Sequence, residues 1–265
     1  MPDKQTMSSN RENPIAVFDS GVGGISVLKA LVELMPNENY IYFGDSENAP
    51  YGTKSLDEVR ELTLQHTNSL IQKGAKAIVI ACNTATSAAI ELLRDQYQLP
   101  VIGIEPALKP AVEAGDGSRI LVLATPMTLR EQKFATLMQS YQDQAVITSI
   151  PSPELVEFIE RGELNSDRLH QYLESLFSPY SREQIGSVVL GCTHFPFAKK
   201  AIRKVLGDVP LYDGGAGTAR ETQRRLKITD MLNTSLVHGE VQIFNSLPGN
   251  DKCRLCGQLL ISSCN

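Results

Sequence analysis

The sequence predicts an α/β protein made of two similar open parallel-sheet domains, with a functional site in the crevice between them. From Pro14 onward, short runs of β-branched and apolar residues alternate with longer amphipathic segments, a pattern typical of βα units. Several of the short runs are apolar at successive positions, as strands covered on both faces are. Matching strand ends near Cys82 and Cys192 predict two halves of similar size that face one crevice.

The elements follow one another in a regular order along the chain. The apolar runs predict strands at residues 15–18, 40–43, 77–80, 101–104, 120–124, 145–150, 187–190, 210–212 and 241–244. The segments between them predict helices at residues 25–34, 56–72, 85–97, 106–113, 128–141, 153–161, 166–176, 196–206 and 217–226. From this order we expect a first domain of residues 1–105 plus 213–265 and a second domain of residues 106–212.

Length and charge exclude several functional classes. The chain has 265 residues, with 25 Lys and Arg against 30 Asp and Glu, which gives a net charge of −5. A mildly acidic protein of this size lacks the basic surface that nucleic acids or anionic membranes require. The longest apolar runs are far shorter than the roughly 18–20 residues that span a bilayer. The first residues carry no signal-peptide core, so we expect a cytoplasmic protein.

Small and polar residues follow the predicted strands, where an open α/β sheet binds its ligands. Two of these segments resemble each other, because each runs from an apolar strand through a small residue to a cysteine and two polar side chains. Cys82 is followed by Asn83 and Thr84, and Cys192 by Thr193 and His194. Equivalent strand ends would bring the two thiols to opposite sides of a shared crevice.

The two cysteines can be read as packing residues or as reactive thiols. An unpaired cysteine is most often a small buried hydrophobe. A cysteine between a strand and a helix N-terminus is also favoured as a thiolate, and a packing residue does not need hydroxyl, amide and imidazole neighbours. Two facing thiols predict proton transfer on opposite faces of one carbon: a thiolate removes a proton, a thiol delivers one, and the stereocentre inverts.

Four ordered motifs resemble the glutamate racemase family. They are DSGVGGIS at 19–26, GDSENAPYG at 44–52, ACNTA at 81–85 and LGCTHFP at 190–196. The resemblance implies a racemase that interconverts L- and D-glutamate without a cofactor or a metal and supplies D-glutamate for peptidoglycan. It also implies two α/β domains with the active site between them, and it is compatible with a homodimer.

The resemblance also implies roles for individual residues. Cys82 would be the base toward D-glutamate and Cys192 the base toward L-glutamate, with Asp19 and His194 assisting the two thiols. Glu160 would be a third assisting group, although Glu154, Glu157 and Glu160 could equally form a solvated acidic helix face. The substrate contacts implied by the family are Asp19, Ser20, Tyr51, Gly52, Asn83, Thr84, Thr193 and His194.

None of the four motifs contains Arg or Lys. Hydroxyls, amides and backbone N–H groups are therefore expected to hold the substrate carboxylates. The sequence offers no account of how the carbanion would be stabilised.

Three other functions are also compatible with these sequence features. The glycines at 21, 23 and 24 partly match a dinucleotide-binding loop, with Asp45 near the end of the next strand, so a nicotinamide-dependent oxidoreductase is the alternative from another class. An aspartate or broader amino-acid racemase would share the motifs. A noncatalytic amino-acid binding protein would be favoured if one thiol proved dispensable.

The C-terminal segment departs from the family. Cys253 and Cys256 could form half of a zinc site, with His238 and Cys264 as further ligands. The other prediction for this segment is a divergent tail that is frayed or exposed.

Overall fold

The protein, described here from a computed structural model for residues 10–115 and 117–262, contains two parallel β-sheets. The first sheet has the order β4-β3-β1-β2-β9 and is built from β1 (Ile15–Asp19), β2 (Tyr40–Gly44), β3 (Ala77–Ile80), β4 (Val101–Gly103) and β9 (Val241–Asn245). The second sheet has the order β6-β5-β7-β8 and is built from β5 (Arg119–Ala124), β6 (Ile147–Pro151), β7 (Ile185–Leu190) and β8 (Leu211–Asp213). The predicted fold class is confirmed.

Helices connect and cover the strands. They are α1 (Ile25–Leu34), α2 (Leu56–Gln72), α3 (Asn83–Gln96), α4 (Leu108–Glu113), α5 (Pro126–Arg130), α6 (Gln132–Gln139), α7 (Pro153–Glu160), α8 (Asp167–Phe177), α9 (Lys199–Leu206), α10 (Gly215–Ile228) and α11 (Asp251–Ile261). Short 3-10 helices lie at Tyr51–Thr53, Arg182–Gln184 and Phe195–Ala198. Among the described residues, no helix has the length and apolar character needed to cross a membrane.

The continuous helix predicted at residues 128–141 is wrong. Thr125 caps a short helix, α5, by accepting a hydrogen bond from the Thr128 N–H, and Pro126 occupies its first turn. Glu131 then adopts an extended backbone with ψ 138°, so that α6 starts as a separate helix.

The register of the sheets aligns the strand ends that carry the motifs. In the first sheet, Asp19 of β1 pairs with Gly44 of β2, and Phe18 pairs with Ile80 of β3. In the second sheet, Leu123 of β5 pairs with Leu190 of β7. The residues that follow β1, β3, β5 and β7 therefore leave their sheets at matching levels.

The two halves are packed against each other. One apolar cluster includes Val17 of β1 from the first sheet, Leu121 and Leu123 of β5 from the second, and Cys192 and Phe195 beyond β7. After β8 the chain returns to the first half, where α10 packs along α1. The strand ends of both halves are thereby brought to a common, water-poor region.

The predicted frayed C-terminal tail is also wrong, because residues 251–261 form a helix. Cys256 and Leu259 are three positions apart on α11 and lie in the same apolar cluster as both sheets, and the helix packs against α1 and β9. Among the described residues, no group of three or more His, Cys, Asp or Glu could hold a metal ion. Cys264, one of the possible zinc ligands, lies outside the described residues.

Candidate active site

Cys82 lies where β3 passes into α3 and occupies the N-cap of that helix. Its Sγ accepts a hydrogen bond from the Ala85 N–H at 3.4 Å and lies 3.3 Å from the Ser20 hydroxyl oxygen. Burial, together with the negative charge of Asp19, raises the pKa of the Cys82 thiol to about 12, against the opposing effect of the two hydrogen bonds. Cys82 is therefore a neutral thiol at physiological pH in this structure.

Cys192 lies in the equivalent place after β7, and its sulfur faces an imidazole. The Sγ atom is 3.6 Å from Nδ1 of His194, and Nε2 of His194 is 2.8 Å from Oε1 of Glu160. Burial alone would lower the pKa of His194, but its contacts with Cys192 and Glu160 outweigh burial and raise it well above its ordinary value. A protonated His194 is the partner that a thiolate at Cys192 requires.

Asp19 links the two cysteine sites. One carboxylate oxygen accepts the Gly21 N–H at 2.9 Å, and the other accepts the Thr193 hydroxyl at 3.0 Å from the opposite half. Asp19 is fully buried, and burial raises the pKa of its carboxyl despite the nearby charge of His194 and these two donors. The charge of Asp19 is near enough to contribute to the raised pKa of Cys82, so this carboxyl is the candidate acid–base partner of that thiol.

Glu160, at the end of α7, is a largely buried carboxylate, 12% exposed, with several hydrogen-bond donors. Oε1 accepts the Val22 N–H at 2.7 Å in addition to His194, while Oε2 accepts Lys252 at 2.7 Å and the Ser46 hydroxyl at 3.3 Å. Burial favours the neutral acid, but the contacts with His194 and Lys252 dominate and lower the pKa of Glu160 to about 2. The structure therefore places Glu160 in the site and not on a solvated acidic face.

The glycine run after β1 makes room for two side chains of the second half. A Cβ atom on Gly21 would lie 1.9 Å from Oε1 of Glu160, and one on Gly23 would lie 2.3 Å from Nδ1 of His194. Both glycines are thus explained by close approach of a carboxylate and an imidazole, without a dinucleotide phosphate.

Replacing Gly23 by alanine should displace His194 and slow turnover. The added methyl group overlaps the imidazole ring, and a shift of this size can cost about a hundredfold in rate. We expect kcat to fall by about ten- to a hundredfold, and the melting temperature to fall as well, because an extra methyl group in a closely packed site costs about 1–3 kcal/mol. Gly217→Ala in α10 is the matched control, since a Cβ there meets nothing within 4 Å. Full activity in Gly23→Ala would contradict the assigned packing.

Three buried hydroxyls meet across the crevice. The Oγ1 atom of Thr84 lies 3.1 Å from that of Thr125 and 3.3 Å from that of Thr128, and the last two are 3.0 Å apart. Both side-chain polar atoms of the neighbouring Asn83 are buried and have no hydrogen-bond partner among the described residues. Hydroxyls and a free amide can bind a carboxylate without a positive charge.

Thr125 and Thr128 are absent from the predicted site residues. Thr125 directly follows β5, so the rule that ligands bind beyond strand ends could have included it. Thr128 comes one turn later on α5 and has no such signal.

Tyr51 and Gly52 reach the same region in different ways. The Tyr51 hydroxyl donates to Asp45 at 2.6 Å and its ring is buried, so the phenol is engaged within the first half. Gly52 lies against Thr125 of the second half, where a Cβ would come within 2.6 Å. Of the predicted contacts, Ser20, Asn83, Thr84, Thr193 and His194 lie beside the two cysteines.

A cavity of about 400 Å³ opens next to these residues. It reaches the crevice at Asn83 and Thr128 and is bounded further out by Pro106, Lys133 and Phe134. Neither cysteine lines it. The cavity therefore adjoins Asn83, the residue after Cys82, and is not lined by either sulfur.

Fold and site together place the chain among racemases, the isomerases that invert a stereocentre. The model of the Asp/Glu/Hydantoin racemase family matches residues 15–222. The chain therefore belongs to the Asp/Glu/Hydantoin racemase family, and the resemblance carried by the four motifs is confirmed.

Individual relatives agree with this membership. A glutamate racemase of Clostridium botulinum is 51% identical over 255 residues, which cover 96% of this chain and 99% of the relative. The crystal structure of a glutamate racemase isoform from Bacillus anthracis superposes with a TM-score of 0.85 at 28% identity, covering 96% of each chain. A glutamate racemase from Francisella tularensis in complex with D-glutamate superposes with a TM-score of 0.82 at 29% identity, covering 96% of this chain and 95% of that one.

Proposed function

We propose that the chain is a glutamate racemase that interconverts L- and D-glutamate by two-cysteine proton transfer without an added cofactor. The observation that carries the proposal is the pair of buried sulfurs, each with its own acid–base partner: Cys82 beside Asp19, and Cys192 beside His194 and Glu160. The identity with curated glutamate racemases over almost the whole chain supports glutamate as the substrate.

The reaction from L-glutamate begins at Cys192. Its thiolate takes the α-proton, so that an S–H bond forms, the Cα–H bond breaks and the electron pair stays on the substrate. The Cys82 thiol then delivers its proton to the opposite face of the carbon and becomes a thiolate, and D-glutamate results. D-glutamate follows the same steps in reverse, with Cys82 as the base.

The pKa shifts in the site favour the protonation states that the reaction from L-glutamate needs, with a thiol at Cys82 and an imidazolium at His194. The raised pKa of Cys82 keeps this group as the proton donor, and the raised pKa of His194 keeps an imidazolium beside Cys192. The two sulfurs are close enough that charge on Cys192 adds to the rise in the pKa of Cys82. Negative charge on one sulfur therefore favours a proton on the other, as alternating acid and base roles require.

The substrate carboxylates would be held by neutral donors. We assign one carboxylate to the hydroxyls of Thr84, Thr125 and Thr128 together with the Asn83 amide, whose polar atoms have no partner in the part of the chain that the structure describes. Donors from both halves would then close on the substrate and exclude water, which strengthens each hydrogen bond in the site.

The domain division and the cellular role are parts of the same proposal. Residues 1–105 plus 213–265 would form the first domain and residues 106–212 the second, a division supported by the two sheets and by the return of α10 to α1. The resemblance to glutamate racemases supports a cytoplasmic enzyme whose D-glutamate serves peptidoglycan synthesis.

Circular dichroism of the amino acid tests the function directly. Protein dialysed free of pyridoxal phosphate and nicotinamides should abolish the optical signal of L-glutamate and of D-glutamate, and should leave that of L-aspartate almost unchanged. Faster racemisation of aspartate would assign the chain to aspartate instead. An unchanged signal with both amino acids would overturn the proposed function.

A further inference from the structure

Glu160 is contacted by a cation from outside the four motifs. Lys252, on α11, donates from Nζ to Oε2 of Glu160 at 2.7 Å and to the backbone oxygen of Glu160 at 2.6 Å. The lysine side chain is 23% exposed and that of Glu160 is 12% exposed. This contact is more protected than an ordinary surface ion pair, which is worth little.

The helix that carries Lys252 is fixed to the first half of the molecule. It packs against α1 and β9, it buries Cys256 and Leu259, and Nζ of Lys29 in α1 donates to the backbone oxygen of Ser262. Glu160, in contrast, ends α7, the helix that follows β6 of the second sheet. The Lys252–Glu160 pair therefore connects the two halves at the edge of the crevice.

A second contact supports the same placement. Gly162 ends the turn after α7 with φ +72°, and a Cβ on it would lie 3.3 Å from the side chain of Leu255. Leu255 is one turn along from Lys252 on α11, so the helix meets the end of α7 with an apolar side chain as well as a charged one. The position of Glu160 is thus set by packing and by charge together.

The two oxygens of Glu160 have separate tasks. Oε1 is engaged with His194 and the Val22 N–H, while Oε2 is held by Lys252 and, at a longer 3.3 Å, by the Ser46 hydroxyl. Without Lys252, Oε2 of this largely buried carboxylate would keep only the Ser46 hydroxyl among its hydrogen bonds to the described residues. Loss of a charged donor to a buried charge is costly, and the carboxylate would turn to recover solvation.

We propose that Lys252 is a positioning residue for proton transfer at Cys192, acting from the C-terminal helix by fixing the Glu160 carboxylate that orients His194 against the sulfur. The proposal rests on the two-cysteine function proposed above. Lys252 touches neither cysteine, and its side chain acts through Glu160. It follows that its effect should be confined to the Cys192 face of the substrate.

The experiment compares Lys252→Met with the wild type, with Lys252→Arg and with Arg254→Gln. Lys252→Met keeps the apolar stem and removes the charge. Arg254→Gln removes a charge from the same helix, where Arg254 faces Asp251 at the surface and does not contact Glu160. The readout is kcat/KM for each enantiomer, with and without deuterium at the α-carbon.

We expect Lys252→Met to lower kcat/KM by about ten- to a hundredfold, since misplacement of a catalytic group by an ångström can cost about a hundredfold. The loss must be equal in the two directions, because the enantiomers have equal free energy. The deuterium isotope effects on kcat/KM, in contrast, should differ between the two enantiomers. Deuterated L-glutamate loses its label at the slowed Cys192 step and should show a larger effect, whereas deuterated D-glutamate loses it at Cys82 and should show a smaller one.

Lys252→Arg should recover part of the activity, because a guanidinium can still donate to Oε2. Arg254→Gln should keep the isotope effects of the wild type. If Lys252→Met does not fold, Lys252→Gln, which retains a donor without the charge, is measured in its place with the same expectation.

The outcomes separate this proposal from the proposed function. If the wild type does not racemise glutamate, the proposed function fails. If the wild type is active and the lysine variants keep full activity, the positioning role is overturned. It is also overturned if the variants lose activity while the isotope effects for the two enantiomers remain equal to each other.

Discussion

Cys82→Ser and Cys192→Ser should each lower kcat/KM for glutamate racemisation by at least about a thousandfold, since a positioned acid or base contributes roughly a hundred- to ten-thousandfold. A serine hydroxyl ionises far less readily than a thiol. A serine at either position therefore cannot supply the anion that removes the α-proton, and it is a poor proton donor in the reverse step. The rate is measured by circular dichroism from both enantiomers. Equal losses are expected in the two directions for each variant.

The matched control is Cys253→Ser on α11. Cys253 is a free, partly buried cysteine that lies outside the crevice contacts described above, so the same chemical change there should leave the rate almost unaltered. Retained activity in either crevice variant would contradict the two-cysteine mechanism. Retained substrate binding without turnover is the expected result for both.

His194→Asn should lower kcat/KM by about a hundred- to a thousandfold, within the range of general acid–base contributions. An asparagine can still place an amide near Cys192, but it cannot carry the positive charge that stabilises a thiolate there. The loss should be accompanied by a changed pH profile, because the wild-type His194 has a pKa raised well above its ordinary value by Cys192 and Glu160. In the wild type, activity that depends on the imidazolium persists above the ordinary histidine range and falls as pH rises through the raised pKa.

His238→Asn provides the control for this substitution, because His238 is exposed and distant in sequence from every motif. It should leave both the rate and the pH profile unchanged. A wild-type alkaline limb that persists in His194→Asn would show that another group causes it.

Much of the fold could be predicted because buried parallel strands have a strong local signature. Residues 15–19 of β1 are buried along their whole length, and the continuous apolar run at residues 15–18 is visible in the sequence itself. Cys82 and Cys192 were predicted for a related reason, since the end of such a strand is where a ligand-binding side chain is expected. Local patterns of this kind are sufficient when the feature is formed by neighbouring residues.

Other features depend on contacts between distant parts of the chain. Lys252 and Glu160 are 92 residues apart, and no pattern around either residue indicates the pair. The glycines after β1 are a different case, because spacing alone does not distinguish a glycine that admits a phosphate from one that admits the ring of His194. The substrate contact that the family resemblance implies for Tyr51 stays a prediction, and the hydrogen bond of its hydroxyl to Asp45 could not be read from the motif.

The positions of the charged side chains around Cys192 could also not be predicted from the sequence. The four motifs contain neither Arg nor Lys, and the cation that reaches the Cys192 side comes from a C-terminal helix that the sequence did not predict. Lys252, Glu160 and His194 form a chain of alternating charge that ends at Cys192. In the proposed mechanism, this chain of charges positions the base at Cys192, while Asp19 and Ser20 adjoin the acid at Cys82.

The central claim is that two different thiols serve the two faces of the substrate carbon, and isotope incorporation during the first turnovers tests it most directly. Unlabelled L-glutamate is incubated with the enzyme in deuterated water, and both enantiomers are separated and analysed at low conversion. The account predicts that D-glutamate carries deuterium at the α-carbon while the remaining L-glutamate is unlabelled, because the delivered proton comes from Cys82. Product that retains the original proton, or label that enters the L-glutamate pool as fast as D-glutamate forms, would contradict it.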